Sequence, residues 1–89
     1  MAREADQIAQ DHAAMLGSVS VINSVIATHA KGSDATSEDF GHDMTHDEKK
    51  ARVARSNGYL VHMKALEDWG DESFTEIDAA ISAANSFTA

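Results

Sequence analysis

The sequence predicts an all-α fold: a three-helix bundle with a long, heptad-patterned N-terminal helix and a polar loop before the second helix. Three observations carry that prediction. The 89 residues contain no proline and few aromatics (three Phe, one Trp, one Tyr) while Ala is abundant, a balance that favours helix over sheet. Apolar residues in the first third step by alternating threes and fours, the period of one helix face. Thr45 is followed three residues on by Glu48, the pairing that caps a helix N-terminus reciprocally. A chain of this length has room for one domain, residues 1–89, and its small core is a reason to expect completion by a partner.

The first helix is expected over residues 3–30. Its inward positions are Ala5, Ile8, His12, Met15, Val19, Ile22, Ile26 and His29, a seam kept for over three heptads. Ala5, His12, Val19 and Ile26 take the a-type places and Ile8, Met15, Ile22 and His29 the d-type. β-Branched residues at both, as in the Val19–Ile22–Ile26 centre, favour three or four strands over two. Ala9, Leu16 and Val25 widen the face, so this helix can meet both its own bundle and a partner. The competing reading packs the same seam inside one chain, because bundle helices share the 3-4 packing of coiled coils. Residues 12–30 contain no Asp, Glu, Lys or Arg, but Ser18, Ser20, Asn23, Ser24 and Thr28 interrupt the run. Glu4, Asp6 and Asp11 outnumber Arg3 ahead of it. The stretch therefore reads as a buried soluble helix, neither a membrane span nor a signal peptide.

Lys31 and Gly32 end that helix, with Gly32 suited to the left-handed cap position. A polar loop over residues 31–45 follows, rich in Ser, Asp and Glu. Phe40 is the residue expected to pin it, to this chain or to a neighbour; Met44 is the other apolar anchor. The second helix is expected over residues 46–68, with Val53, Ser56, Leu60 and Met63 on one face and Tyr59 and Leu66 beside them. Asn57-Gly58 is a turn signal, yet the face continues in phase across it. A continuous helix is expected there, with Gly58 costing about 1 kcal/mol against Ala and admitting close helix packing. Trp69 and Gly70 close this helix, and Asp71 and Glu72 form an acidic turn. Ser73 and Glu76 offer a second capping box opening a helix over residues 74–87. Phe74, Ile77, Ile81 and Ala84 lie at helical spacing on it, Phe87 near its end, and the Ala79, Ala80, Ala83 and Ala84 series permits close approach.

The net charge of −8 argues against a nucleic-acid binder, since phosphate neutralisation needs surplus Lys and Arg. Residues 31–48 and 67–78 are strongly acidic, and Lys49, Lys50, Arg52, Arg55 and Lys64 form a basic island between them. That island reads either as a solvated helix face or as a surface pairing with an acidic neighbour, such as another copy of the chain. Cysteine is absent, which excludes disulfides and thiolate metal sites. His42 and His46 are four apart, but the capping box places His42 before the helix, off the face of His46, and a third ligand is missing; no metal site is expected. His12 and His29 fall on the seam, where a polar residue fixes register or responds to pH, unless both simply fray with the helix ends. With no Cys nucleophile, phosphate loop or recognisable Ser context, no catalytic residue and no cofactor are expected, and the chain does not read as an enzyme.

From Thr45 onwards the chain resembles the short helical virion-associated proteins of marine and T7-like tailed phages. The likeness rests on Arg52-Val53-Ala54-Arg55-Ser56-Asn57-Gly58-Tyr59-Leu60, then Met63, Asp68-Trp69-Gly70-Asp71 and Ile77-Asp78-Ala79-Ala80-Ile81. It implies a virion component, assembled in the host cytoplasm, and carries no functional residue across. The expected function is thus a structural or assembly protein of capsid or tail. Its partners would be itself, as a trimer or other homo-oligomer, or a larger structural protein, with no nucleic acid, membrane or small-molecule substrate. Ile8, Met15, Val19, Ile22, Ile26 and Phe40 are the expected interface. The alternative is a small acidic regulator or inhibitor of a basic protein.

Overall fold

A computed structural model describes residues 4–66 and 68–89 of the chain. Three helices follow in order: α1 (Ala5–Lys31), α2 (His46–Lys64) and α3 (Thr75–Thr88), with a 3-10 turn at Gly32–Asp34 behind α1. The all-α, three-helix architecture is as the sequence predicts, and no strand occurs among the described residues. The long first helix stretches the bundle to 49 × 26 × 18 Å.

One core holds the helices together. Met15, Val19, Ile22 and Val25 of α1 meet Val53 and Leu60 of α2, Ile77, Ala80 and Ala84 of α3, and Trp69 from the connection. The seam of α1 is therefore consumed within the chain. It also departs from a strict heptad: beyond Ile22 the buried positions are Val25 and Thr28, while Ile26 and His29 are half-buried. The loop lies close to that part of α1, where a Cβ built on Gly41 would come to 4.0 Å from Val25 Cγ2. By length and composition alone α1 is apolar enough to cross a membrane, and in this fold its apolar side faces α2 and α3.

Local signals set the boundaries. Gly32 adopts φ 57°, and its N–H bonds to the His29 carbonyl, closing α1. Thr45 Oγ1 accepts from the Glu48 N–H at 3.1 Å while Glu48 Oε1 accepts from the Thr45 N–H at 2.8 Å, so the capping box of α2 is complete. α2 runs unbroken through Asn57-Gly58. The Asn57 side-chain amide donates to Asn85 Oδ1 of α3 at 2.9 Å, which uses a tertiary bond where an isolated peptide would turn. Close packing is not what Gly58 provides, since a Cβ there would meet nothing within 4 Å.

Two expectations about ends need correcting. α2 stops at Lys64, short of residue 68, with Glu67 outside the described residues. Its last turn is closed by the Ala65 N–H on the Val61 carbonyl and the Leu66 N–H on the Met63 carbonyl, and the Trp69 indole N–H also reaches back to the Met63 carbonyl at 3.2 Å. That return requires a reversal, and Asp68 and Gly70 both take positive φ, at 67° and 63°. The second capping box does not form: Phe74 holds the N-cap place of α3 without a side-chain bond, and Ser73 Oγ contacts the Thr75 N–H at 3.4 Å. The beginning of the first helix, expected at residue 3, lies outside the described residues.

Candidate interaction surface

The six residues expected to form an interface divide sharply. Met15 and Ile22 are fully buried and Val19 nearly so, all inside the chain's own core. Within the single chain the apolar faces of α2 and α3 cover them. Ile8 and Ile26 are half-buried at the margin of that core. Phe40 is the one still free, 48% exposed. Within this chain Asp39 ties the loop, accepting from Lys31 Nζ at 2.6 Å and from the Thr36 N–H at 2.9 Å, which leaves Phe40 for the other expected role, contact with a neighbour. The Lys31 hydrogen bond, then the Thr36 one, hold the Asp39 carboxyl below its ordinary pKa. Tight turns, from Asp39 N–H to Thr36 O and Met44 N–H to Gly41 O, shape the rest.

Apolar surface remains where α2 and α3 diverge. Val61, Ala65 and Ile81 line an open groove of about 400 Å³, with Lys64 at its edge bonded to Asp78. Val61 is 52% exposed and the adjacent Leu66 40%. Nothing in the sequence period marked this patch, because Val61 lies to one side of the Val53–Leu60 face; the cue was an apolar residue out of phase beside Leu66.

The two seam histidines are neither frayed nor simple core residues. His12 packs against the turn leading to α3, in a shallow cleft of about 200 Å³ with Leu16, Ser73, Thr75 and Glu76. Its Nε2 lies 2.7 Å from the Ser73 carbonyl and its Nδ1 3.3 Å from a Glu72 carboxylate oxygen. Both neighbours are acceptors, so a ring protonated on both nitrogens can donate to each. Phe74 meets its ring edge-on. At the far end His29 stacks on His46, centroids 4.4 Å apart, and Phe87 packs edge-on against both. All three helices meet there. Partial burial, then the charges of His46 and Lys49, push the His29 pKa below its ordinary value. Stacked at 19° between planes, the two rings do not converge on one point, and no group of three or more His, Cys, Asp or Glu among the described residues is placed to hold a metal ion.

The basic island is only partly engaged. Ion pairs among the described residues join Lys31 to Asp39 and Lys64 to Asp78, and His12 Nδ1 lies 3.3 Å from Glu72. None takes Lys49, Lys50, Arg52 or Arg55. No family model matches the chain, and neither a curated protein nor a solved structure matches it.

Proposed function

We propose that the chain is a non-enzymatic assembly protein that self-associates or docks on a larger protein. The setting its likeness to virion-associated phage proteins suggests is a capsid or tail accessory component, assembled in the host cytoplasm. The observation that supports this reading is the open Val61–Ala65–Ile81 groove beside exposed Leu66. Side chains of this kind are left in water on a small bundle at a cost that contact with another protein removes. The reading puts the contact on the α2–α3 side in place of α1, because Met15, Val19 and Ile22 are buried in the chain's own core.

Val61→Asp tests the reading, because Val61 is exposed and a carboxylate there leaves the core intact. Native mass spectrometry over a dilution series, together with recovery of co-purifying protein from the source lysate, compares it with the wild type. Oligomers or bound protein should be lost in the variant while helicity is retained. Identical results for both chains would overturn the proposal. A second reading, a small acidic regulator of a basic protein, draws on the exposed carboxylates of Asp34, Glu38, Asp43 and Asp71. It requires binding that weakens steeply with salt.

A further inference from the structure

We infer that the Arg52–Arg55–Tyr59–His62 stripe of α2 is a docking surface for the acidic Glu38–Phe40–Asp43 turn of a second copy of this chain. The inference deepens the self-association arm of the proposed function, on a surface separate from the Val61 groove.

The stripe follows from helix geometry. Positions 52, 55, 59 and 62 recur at i, i+3, i+7 and i+10, one face of α2, offset from the Val53–Ser56–Leu60 face that enters the core. Arg55, Tyr59 and His62 are exposed and Arg52 half-buried, so the stripe stands open along about 15 Å of helix. Two guanidiniums one turn apart repel each other, and no carboxylate among the described residues pairs with either. In a chain with 15 acidic and 7 basic side chains, that is a conspicuous place to leave positive charge unneutralised.

The complement is on the same molecule. Glu38 and Asp43 are exposed and take no ion pair among the described residues, with half-exposed Phe40 between them. The turn that carries them is already ordered, because Asp39 is tied to Lys31 and to the Thr36 N–H. A preorganised turn loses little freedom on binding. The pairing chemistry is matched on both counts: guanidinium forks donate bidentately to carboxylates, and they also stack on aromatic faces, which Phe40 supplies. A second copy is favoured over an unrelated acidic protein because both halves of the contact are present, unpaired and of opposite sign on each chain. The turn leads into the start of α2, and the stripe lies further along the same helix. A two-fold axis lets each chain place its turn on the other's stripe, the self-complementary arrangement closed dimers use.

Sedimentation velocity of the full chain, with salt raised from about 0.05 to about 0.5 M, shortens the screening length from about 14 Å to about 4 Å. The dimer should weaken about tenfold or more across that range. The Arg52→Glu, Arg55→Glu double variant and the Glu38→Lys, Asp43→Lys double variant should each be monomeric, with circular dichroism verifying that each stays helical. Mixed, the two should form a heterodimer, since one contact is wild type on both sides and the other is reversed on both sides. A wild-type monomer at every salt and concentration would overturn the inference, and so would failure of the mixture to associate. A dimer that survives both charge reversals but is lost in Val61→Asp would also sink it while leaving the groove reading in place.

Discussion

Ile22 is the residue on which the intrachain reading of the α1 seam can be tested most directly. Its side chain is fully buried at the centre of α1, among core residues drawn from all three helices. Truncation to Ala removes three carbons, about 2.4 kcal/mol of transfer free energy at about 0.8 kcal/mol per methylene. The cavity left behind, which a rigid three-helix core closes only in part, raises the cost to about 3–4 kcal/mol. Domains of this size unfold with about 4–13 kcal/mol in total, so Ile22→Ala consumes a large share and Ile22→Asp should leave the chain unfolded. With an unfolding entropy of about 0.19 kcal/mol/K for a chain this long, the Ala variant should melt about 15–20 °C lower. Far-UV circular dichroism followed through thermal and urea denaturation measures both quantities. Ile26→Ala is the internal comparison: Ile26 is half-buried, and its truncation should cost about half as much. A cost at Ile22 no greater than at Ile26 would refute the reasoning, because a residue closed off at the centre of an intrachain core must lose more on truncation than one at its margin.

Acidification should loosen the end where the three helices meet. Because His29 binds a proton less readily in the fold than its ordinary value of 6.5, stability is complete above that pH and is lost as pH falls from there towards the lowered folded pKa. The melting temperature should therefore drop between about pH 7.5 and about pH 5, and His29→Gln should flatten that drop. Two glycines should respond to Ala with opposite signs in the same melts. Gly58→Ala fills open space in a helix interior and should stabilise by about 0.5–1 kcal/mol. Gly41→Ala forces a side chain into φ 78° with its Cβ 2.9 Å from Met44 Sδ, and should destabilise by about 1–2 kcal/mol. Thr45→Ala should cost about 1 kcal/mol by breaking the capping box, whereas Ser73→Ala should cost less, because Ser73 Oγ makes only a long 3.4 Å contact with the Thr75 N–H.

What could be read from the sequence follows from which interactions are local. The capping box at Thr45 and Glu48 lies within four residues and needs no tertiary partner, so spacing alone reveals it. The same four-residue pattern at Ser73 and Glu76 fails because His12 holds the Ser73 carbonyl and Phe74 is drawn against Trp69, shifting the start of α3 by one residue. Sequence periodicity placed Val53, Ser56 and Leu60 on one face and kept α2 whole through Asn57-Gly58, but it could not see that Asn85 supplies the bond that stabilises the passage. Nor could it show that Asp39 ties the loop within the chain. An ion pair eight residues apart has no periodic signature.

The heptad on α1 is the instructive case, because its pattern is the same whether the covering helices come from this chain or another. The choice is made elsewhere, by the apolar faces of α2 and α3. Val53 and Leu60 on one, and Ile77, Ala80 and Ala84 on the other, must also leave water, and the α1 seam offers them a long apolar surface. Covering all three at once satisfies each helix with a single core. That solution has a consequence for function: the residues best suited to drive assembly, Met15, Val19 and Ile22, are spent on folding. Under the proposed function, association would fall to what the core leaves outside: the Val61–Ala65–Ile81 groove, Phe40 and the cationic stripe along Tyr59. On such a bundle a contact would sit at the margins of the helices, where a charge reversal should remove it without disturbing the fold.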